Sequence, residues 1–186
     1  LKAAVVIGVV AGVCRLVPYL DVIVGGLLAA VVILSDFQGW QALASTALTL
    51  AIGLPAAYVL GRYSFPGRSL VRTLVIVPFV LPTVVVALAF LAILPPGLER
   101  GWAPILIAHA FFNVAVVVLV VSTFWASLDR RVSEAAATLG AGPWRSFREV
   151  TLPLLAPSLA AAGAIVFLFS FTSFGIVLIL GGPAYS

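Results

Sequence analysis

Residues 101–128 read GWAPILIAHAFFNVAVVVLVVSTFWASL and contain no charged side chain. A helix needs about 20 predominantly apolar residues to cross roughly 30 Å of hydrocarbon, and this run suffices. Three more charge-free runs cover 37–61, 73–98 and 150–186. Strands of a membrane barrel would alternate apolar and polar residues in segments of about 10. These runs are solid apolar blocks, so they are read as helices. The 186-residue chain is 63% hydrophobic and 9% charged, where soluble domains carry about 25% charged residues. An ordinary soluble enzyme is thereby excluded, and so is a disordered chain. The predicted fold class is an all-α integral membrane bundle of about five transmembrane helices, near 16–34, 42–60, 74–94, 104–124 and 158–180.

The first of these spans needs an argument. Arg15 and Asp21 interrupt an otherwise apolar stretch, with Pro18 between them. An ionised side chain at the bilayer centre costs about 2.5–3.5 kcal/mol on insertion scales, so Arg15 is placed at an interface. A re-entrant hairpin broken at Pro18 stays open. A signal peptide fits poorly, because the apolar block does not end at a small-residue cleavage site.

Arginines set the orientation. Arg62, Arg68 and Arg72 fall in one connection; Arg130, Arg131, Arg145 and Arg148 fall in another, two spans later. Both connections should be cytoplasmic. With Lys2 and Arg15 also inside, every basic residue except Arg100 lies on one side. The expected topology has a cytoplasmic N-terminus and an outward C-terminal end. Trp40 and Trp102 then mark the outer interface and Trp125 the inner one. The net charge of +4 is read as topology and not as a nucleic-acid footprint. Cys14 is the only cysteine, so the chain can form no internal disulfide or cysteine-based zinc site. The absence of methionine even at position 1 points to a fragment.

The connection at 126–151 has internal design. Asp129 is placed to cap a helix. Val132, Ala135, Ala136 and Leu139 follow at i, i+3, i+4 and i+7, a narrow apolar stripe. Gly140 is placed to stop that helix, and Pro143 suits the first turn of a second short one. Trp144 and Phe147 share a face of that second helix, and Leu152-Pro153 leads into the last span. A helix–turn–helix beneath the membrane is expected. Its plain reading is an amphipathic loop covering the inner face of the bundle.

The stretch EAAATLGAGPWRSFREVTLP, 134–153, resembles the cytoplasmic signature of ABC-transporter permease subunits. Glu134, Ala135, Ala136 and Gly140 fit, as do Leu152 and Pro153, with Val150 where isoleucine is usual. The resemblance implies a coupling helix that docks on a separate cytoplasmic ABC ATPase, which binds the ATP; this chain itself holds no cofactor. Ala135 and Ala136 would allow close approach, Glu134 would be a charged anchor and Gly140 a turn. Further segments, among them LTLAIGLPAAYVLGRYSFPGR and FLFSFTSFGIVLILGGPAY, resemble the iron(III)/thiamine branch of importer permeases, whose first half this chain is most like. The implied partners are a second permease half, an extracytoplasmic solute-binding protein and the lipid membrane, with no nucleic acid. The implied location is the bacterial inner membrane, and the implied cargo is iron(III), thiamine or a similar solute. Residues 1–35 depart from that family and resemble, over a short stretch, the autoinducer-2 exporter family. The domain division is therefore 1–35 and 36–186, and the alternative functions are a non-ABC exporter and a structural membrane anchor.

His109 and Asn113, four residues apart, share one face of the 104–124 span. They are candidates for a translocation path, or equally for interhelical hydrogen bonds. Ser170, Thr172 and Ser173 are weaker candidates, because hydroxyls can bond the carbonyls of their own helix. Pro55, Pro78 and Pro82 sit within spans, and Gly53 suits a close helix contact. No Gly-x-x-x-x-Gly-Lys-Ser/Thr loop is present, so the chain is not itself a P-loop ATPase. No catalytic dyad or metal motif is visible, and an enzyme is not expected.

Overall fold

The computed structural model describes residues 37–182. The chain divides into two compact units, 1–40 and 41–186, and the second carries the bundle. The span expected at 16–34, with Arg15, Pro18 and Asp21, lies outside the described residues.

Helix α1 (Phe37–Arg62) has 26 residues, about 39 Å at 1.5 Å per residue, and continues through Pro55. Helices α2 (Arg68–Val80) and α3 (Thr83–Ile93) meet at a bend of 100°. The expectation of one continuous span at 74–94 is therefore corrected to two short helices. At 13 and 11 residues they reach only about 20 and 17 Å. Proline spacing explains the break. Pro78 and Pro82 are four residues apart, so the amide donor is missing twice along one row of intrahelical bonds. The ring of Pro82 also drives Leu81 into an extended conformation, at φ −72° and ψ 140°. The Leu81 N–H turns back to the Pro78 carbonyl at 3.3 Å.

Helix α4 (Trp102–Ser127) is the third long element and matches the expected span at 104–124. Helices α5 (Arg130–Thr138) and α6 (Pro143–Ser146) follow, then a π-helical turn (Phe147–Thr151), α7 (Leu152–Phe171) and α8 (Phe174–Gly181). The stretch Pro143–Phe171 is one continuous 29-residue helical span. The span expected at 158–180 thus starts earlier and ends at Thr172. The second short helix of the loop is its opening turn. The π turn lies where the Pro153 ring would meet the Glu149 carbonyl in an α-helix, and its wider winding removes that clash. At the other end the Thr172 hydroxyl donates to the Leu168 carbonyl at 2.8 Å, and the chain breaks at Ser173. Three described helices are long and apolar enough to cross a membrane, or four if the bent pair counts as one.

The long helices and the α3–α8 pair pack on α4. Its C-terminal half joins α1 and α7 through Ala57, Val117, Val121, Trp125, Leu155 and Val166. Its N-terminal half joins α3 and α8 through Ala87, Ile105, Ala108, Ile176 and Leu180. In lipid such contacts rest on tight packing and hydrogen bonds, since apolar side chains gain little by leaving hydrocarbon. The closest approach is at Gly53, where an added Cβ would stand 2.6 Å from Val117 Cγ1. Trp125, near the C-terminal end of α4, is 2% exposed, with Tyr58 at 5.1 Å and Phe147 at 6.3 Å between ring centroids.

Gly53→Ala should lower stability in detergent by about 1–3 kcal/mol through overpacking. Gly163→Ala should be neutral or gain about 0.5–1 kcal/mol, because its Cβ meets only ordinary contacts, Leu50 Cδ1 at 3.5 Å and Thr46 Cγ2 at 3.9 Å. Thermal unfolding of the two variants side by side checks the contrast.

Candidate functional site

Two connections that are far apart in sequence meet at one end of the bundle. Arg130 Nη2 donates to the Arg62 carbonyl at 2.7 Å, and Arg62 Nη1 donates to the Leu128 carbonyl at 3.5 Å. Arg68 Nε donates to the Leu60 carbonyl at 3.0 Å. The arginine-bearing loops therefore share a face, as the charge pattern required. At the opposite end the Gly101 N–H donates to the Leu180 carbonyl at 2.7 Å.

Helix α5 lies on the arginine-rich face and is closed at both ends by its own sequence. The Asp129 carboxylate accepts from the Arg131 N–H at 2.9 Å, the expected cap. At the other end Gly140 stands at φ +84°. Its N–H donates to the Ala137 carbonyl, and the Ala141 N–H donates to the Ala136 carbonyl, both at 3.0 Å. That is the Schellman pattern, which needs a residue tolerant of the left-handed region. Pro143 then opens α6.

The faces of α5 differ. Val132, Ala135 and Leu139 are exposed, Leu139 at 88%, and Ala136 is half-buried. Glu134 and Gly140 are also exposed. The apolar stripe thus has no cover within the described residues. Ser133 and Ala137 face the other way, toward a groove against α1 and α4. Trp144, 72% exposed, stacks on Phe147 at 5.7 Å, and Phe147 stacks on Trp125 at 6.3 Å. This column of rings fixes the π turn to α4. Leu152 is half-buried and Pro153 exposed at the start of α7. They share this end of the bundle with Glu134, Ala135, Ala136 and Gly140, but not the same helix.

His109 and Asn113 lie elsewhere, at mid-length of α4 between the two apolar clusters, 1% and 0% exposed. His109 Nδ1 and Ser45 Oγ of α1 are hydrogen-bonded at 3.0 Å. Asn113 Nδ2 donates to Ser170 Oγ of α7 at 3.3 Å. The polar pair therefore ties three helices together. Ser45 escaped sequence reasoning because a serine in an apolar run carries no signal of its partner. The approach of Tyr58, Tyr63 and Arg62 to Arg130 was also missed. Its trace is the spacing Leu54, Tyr58, Arg62, which repeats every four residues and so follows one helical face.

The matched region brings these features together. The family described as "Binding-protein-dependent transport system inner membrane component" matches residues 53–184. The chain belongs to this family. Its match takes in α5 with the whole arginine-rich face. The chain is 37% identical over 143 residues to the sulfate transport system permease protein CysT of Escherichia coli (strain K12), covering 70% of this chain and 52% of that protein. It is 31% identical over 139 residues to the molybdate/tungstate transport system permease protein WtpB of Thermococcus kodakarensis, covering 75% and 56%. It is 34% identical over 164 residues to the thiamine transport system permease protein ThiP of Brucella abortus (strain 2308), covering 78% and 30%. The chain thus spans about half the length of the first two relatives and less of the third. The permease family expected from the loop holds, whereas these relatives lend the iron(III) branch no support.

Gly140→Ala should cost about 1 kcal/mol, the usual penalty for a side chain in the left-handed region. Nothing lies within 4 Å of the added Cβ, so backbone strain is the whole effect. Faster amide hydrogen exchange at positions 140 and 141, with the rest of α4 and α7 unchanged, is the expected reading. In a double-mutant cycle, Asn113→Leu with Ser170→Ala should show a coupling of about 0.6 kcal/mol.

Proposed function

We propose that this chain forms the membrane-spanning permease of an ABC importer, and that α5 is the coupling helix on which a cytoplasmic ATPase docks. The observation that carries the reading is the capped helix α5 with its uncovered apolar stripe, inside the region that matches the family. Ala135 and Ala136 allow close approach, Glu134 supplies a charge beside them, and Gly140 ends the helix where the chain must turn back. The ATP belongs to the partner, and the chain performs no chemistry of its own. A second permease half completes the pathway, and an extracytoplasmic binding protein delivers the solute.

The cargo proposed is a tetrahedral oxyanion of the sulfate or molybdate kind, after the sulfate and molybdate/tungstate relatives. Thiamine is the second reading, favoured by the longer alignment with the thiamine relative. His109 and Asn113 serve this pathway indirectly, by holding α1, α4 and α7 in register. The exporter and anchor readings lose ground, because neither gives α5 an occupant.

Co-purification with a cognate ABC ATPase tests the docking role. The charge-reversing, turn-blocking pair Glu134→Arg with Gly140→Trp should reduce capture at least tenfold. Val132→Asp with Leu139→Asp should do the same without touching the cap, since both side chains are exposed. Full capture by the second pair would sink the docking role of α5. Uptake of radiolabelled sulfate, molybdate and thiamine by cells carrying the system assigns the cargo.

A further inference from the structure

Between α5 and α1 runs a groove with a cavity volume of about 790 Å³. Its walls include Leu54, Pro55, Trp125, Trp144 and Phe147. It adjoins a smaller recess of about 250 Å³, lined by Tyr58, Arg62, Tyr63, Arg130, Ser133 and Glu134. Tyr58, Arg62 and Ser133 belong to both. From these features we infer that the groove and recess together bind one anionic phospholipid, with its phosphate at Arg62 and Arg130 and an acyl chain along α1 toward Leu54.

The order of chemistry along α1 supports this. Leu54, Pro55, Tyr58 and Arg62 run from apolar through amphipathic to cationic over eight residues, about 12 Å of helix. A phospholipid in a leaflet presents the same sequence, from chain to ester region to phosphate. The recess is also charge-complementary. Among the described residues the only salt bridge is Arg145 with Glu149, so neither Arg62 nor Arg130 has a carboxylate within bridging distance. Each gives one hydrogen bond to a carbonyl, whereas a guanidinium carries five N–H donors in a fork suited to phosphate. Glu134 lines the recess as well, which leaves two cations against one anion and matches a headgroup of net charge −1. The Tyr58 and Tyr63 hydroxyls, 3.1 Å apart, and Ser133 add neutral donors.

A second observation is independent of charge. Trp125 lines the groove, is 2% exposed, and its indole N–H has no hydrogen-bond partner. That nitrogen is sealed from solvent in this structure, so a small shift of the ring would bring it to a lipid ester oxygen. A free phosphate would leave the apolar length of the groove unfilled. An apolar protein helix would cover the two arginines without compensating them, which is costly. The lipid would brace α5 against α1 on the face opposite the apolar stripe. The inference does not depend on the cargo, and it shares Glu134 with the proposed docking role of α5.

Native mass spectrometry of the protein, in its assembled complex, provides the test. The probes are phosphatidylglycerol, phosphatidylcholine with the same acyl chains, and glycerol 3-phosphate as the headgroup alone. One phosphatidylglycerol per chain should be retained, at least tenfold in preference to phosphatidylcholine and undisturbed by millimolar glycerol 3-phosphate. Arg62→Gln with Arg130→Gln should bring the preference close to one, while Arg148→Gln should leave it intact. Ala137→Phe, at an exposed position on the groove wall, should fill the space and remove both lipids even if the arginine pair fails to fold. Equal retention of the two lipids by the unaltered protein would overturn the inference. So would displacement by the headgroup alone, or retention that survives Ala137→Phe. A photoreactive side chain at position 137 should yield a lipid adduct, and a polypeptide adduct in its place would identify a protein helix as the occupant.

Discussion

The bundle depends on how closely α1 can approach α4. At Gly53 the Val117 side chain fills the space a Cβ would need, and at Gly61 the Ser122 backbone and Trp125 Cβ do. In water a core gains free energy simply by taking apolar surface out of solvent. In hydrocarbon that reserve is absent, so short-range packing has to do the work. Once α1 is seated, Ser45 reaches His109 and Ala57 joins the cluster with Val121 and Trp125. The arginine contacts between the 62–68 and 128–130 segments close the same end. The groove, the recess and the position of α5 all follow from that single approach.

The polar waist of α4 serves a related purpose. Apolar clusters at its two halves bind different partners, α1 with α7 on one side and α3 with α8 on the other. Between them Ser45 bonds His109 Nδ1 and Ser170 accepts from Asn113 Nδ2, while His109 Nε2 and Asn113 Oδ1 have no partner among the described residues. Apolar surfaces can slide past one another at little cost, whereas hydrogen bonds between named atoms fix register. The waist therefore sets the axial position of three helices at once.

Much of this was legible in the sequence, and the exceptions share a cause. The charge-free blocks located α1 and α4, because membrane insertion is decided residue by residue. The helix α5 was legible at both ends, since Asp129 and Gly140 act within their own turn. What failed involved comparison between distant positions. Pro55 and Pro82 sit in similar apolar runs, yet the helix continues through one and breaks at the other. The difference is Pro78, one turn before Pro82, and the packing of Gly53 on Val117 beside Pro55. The span starting at Pro143 was placed late because charges were taken to mark its edge. Arg145 and Glu149 instead form an exposed pair on its first turns. Ser45 and the Tyr58–Arg62 recess were hidden because their partners lie more than sixty positions away.

The elbow between α2 and α3 has a further implication. A helix that ends at Val80 leaves its last carbonyls without amide partners, and Leu81 and Pro82 supply almost none. Hydrocarbon offers no hydrogen bonds to replace them. Lipid tails therefore cannot sheathe this corner on all sides. The open carbonyls around residues 77–82 call for water or another stretch of polypeptide as their partner.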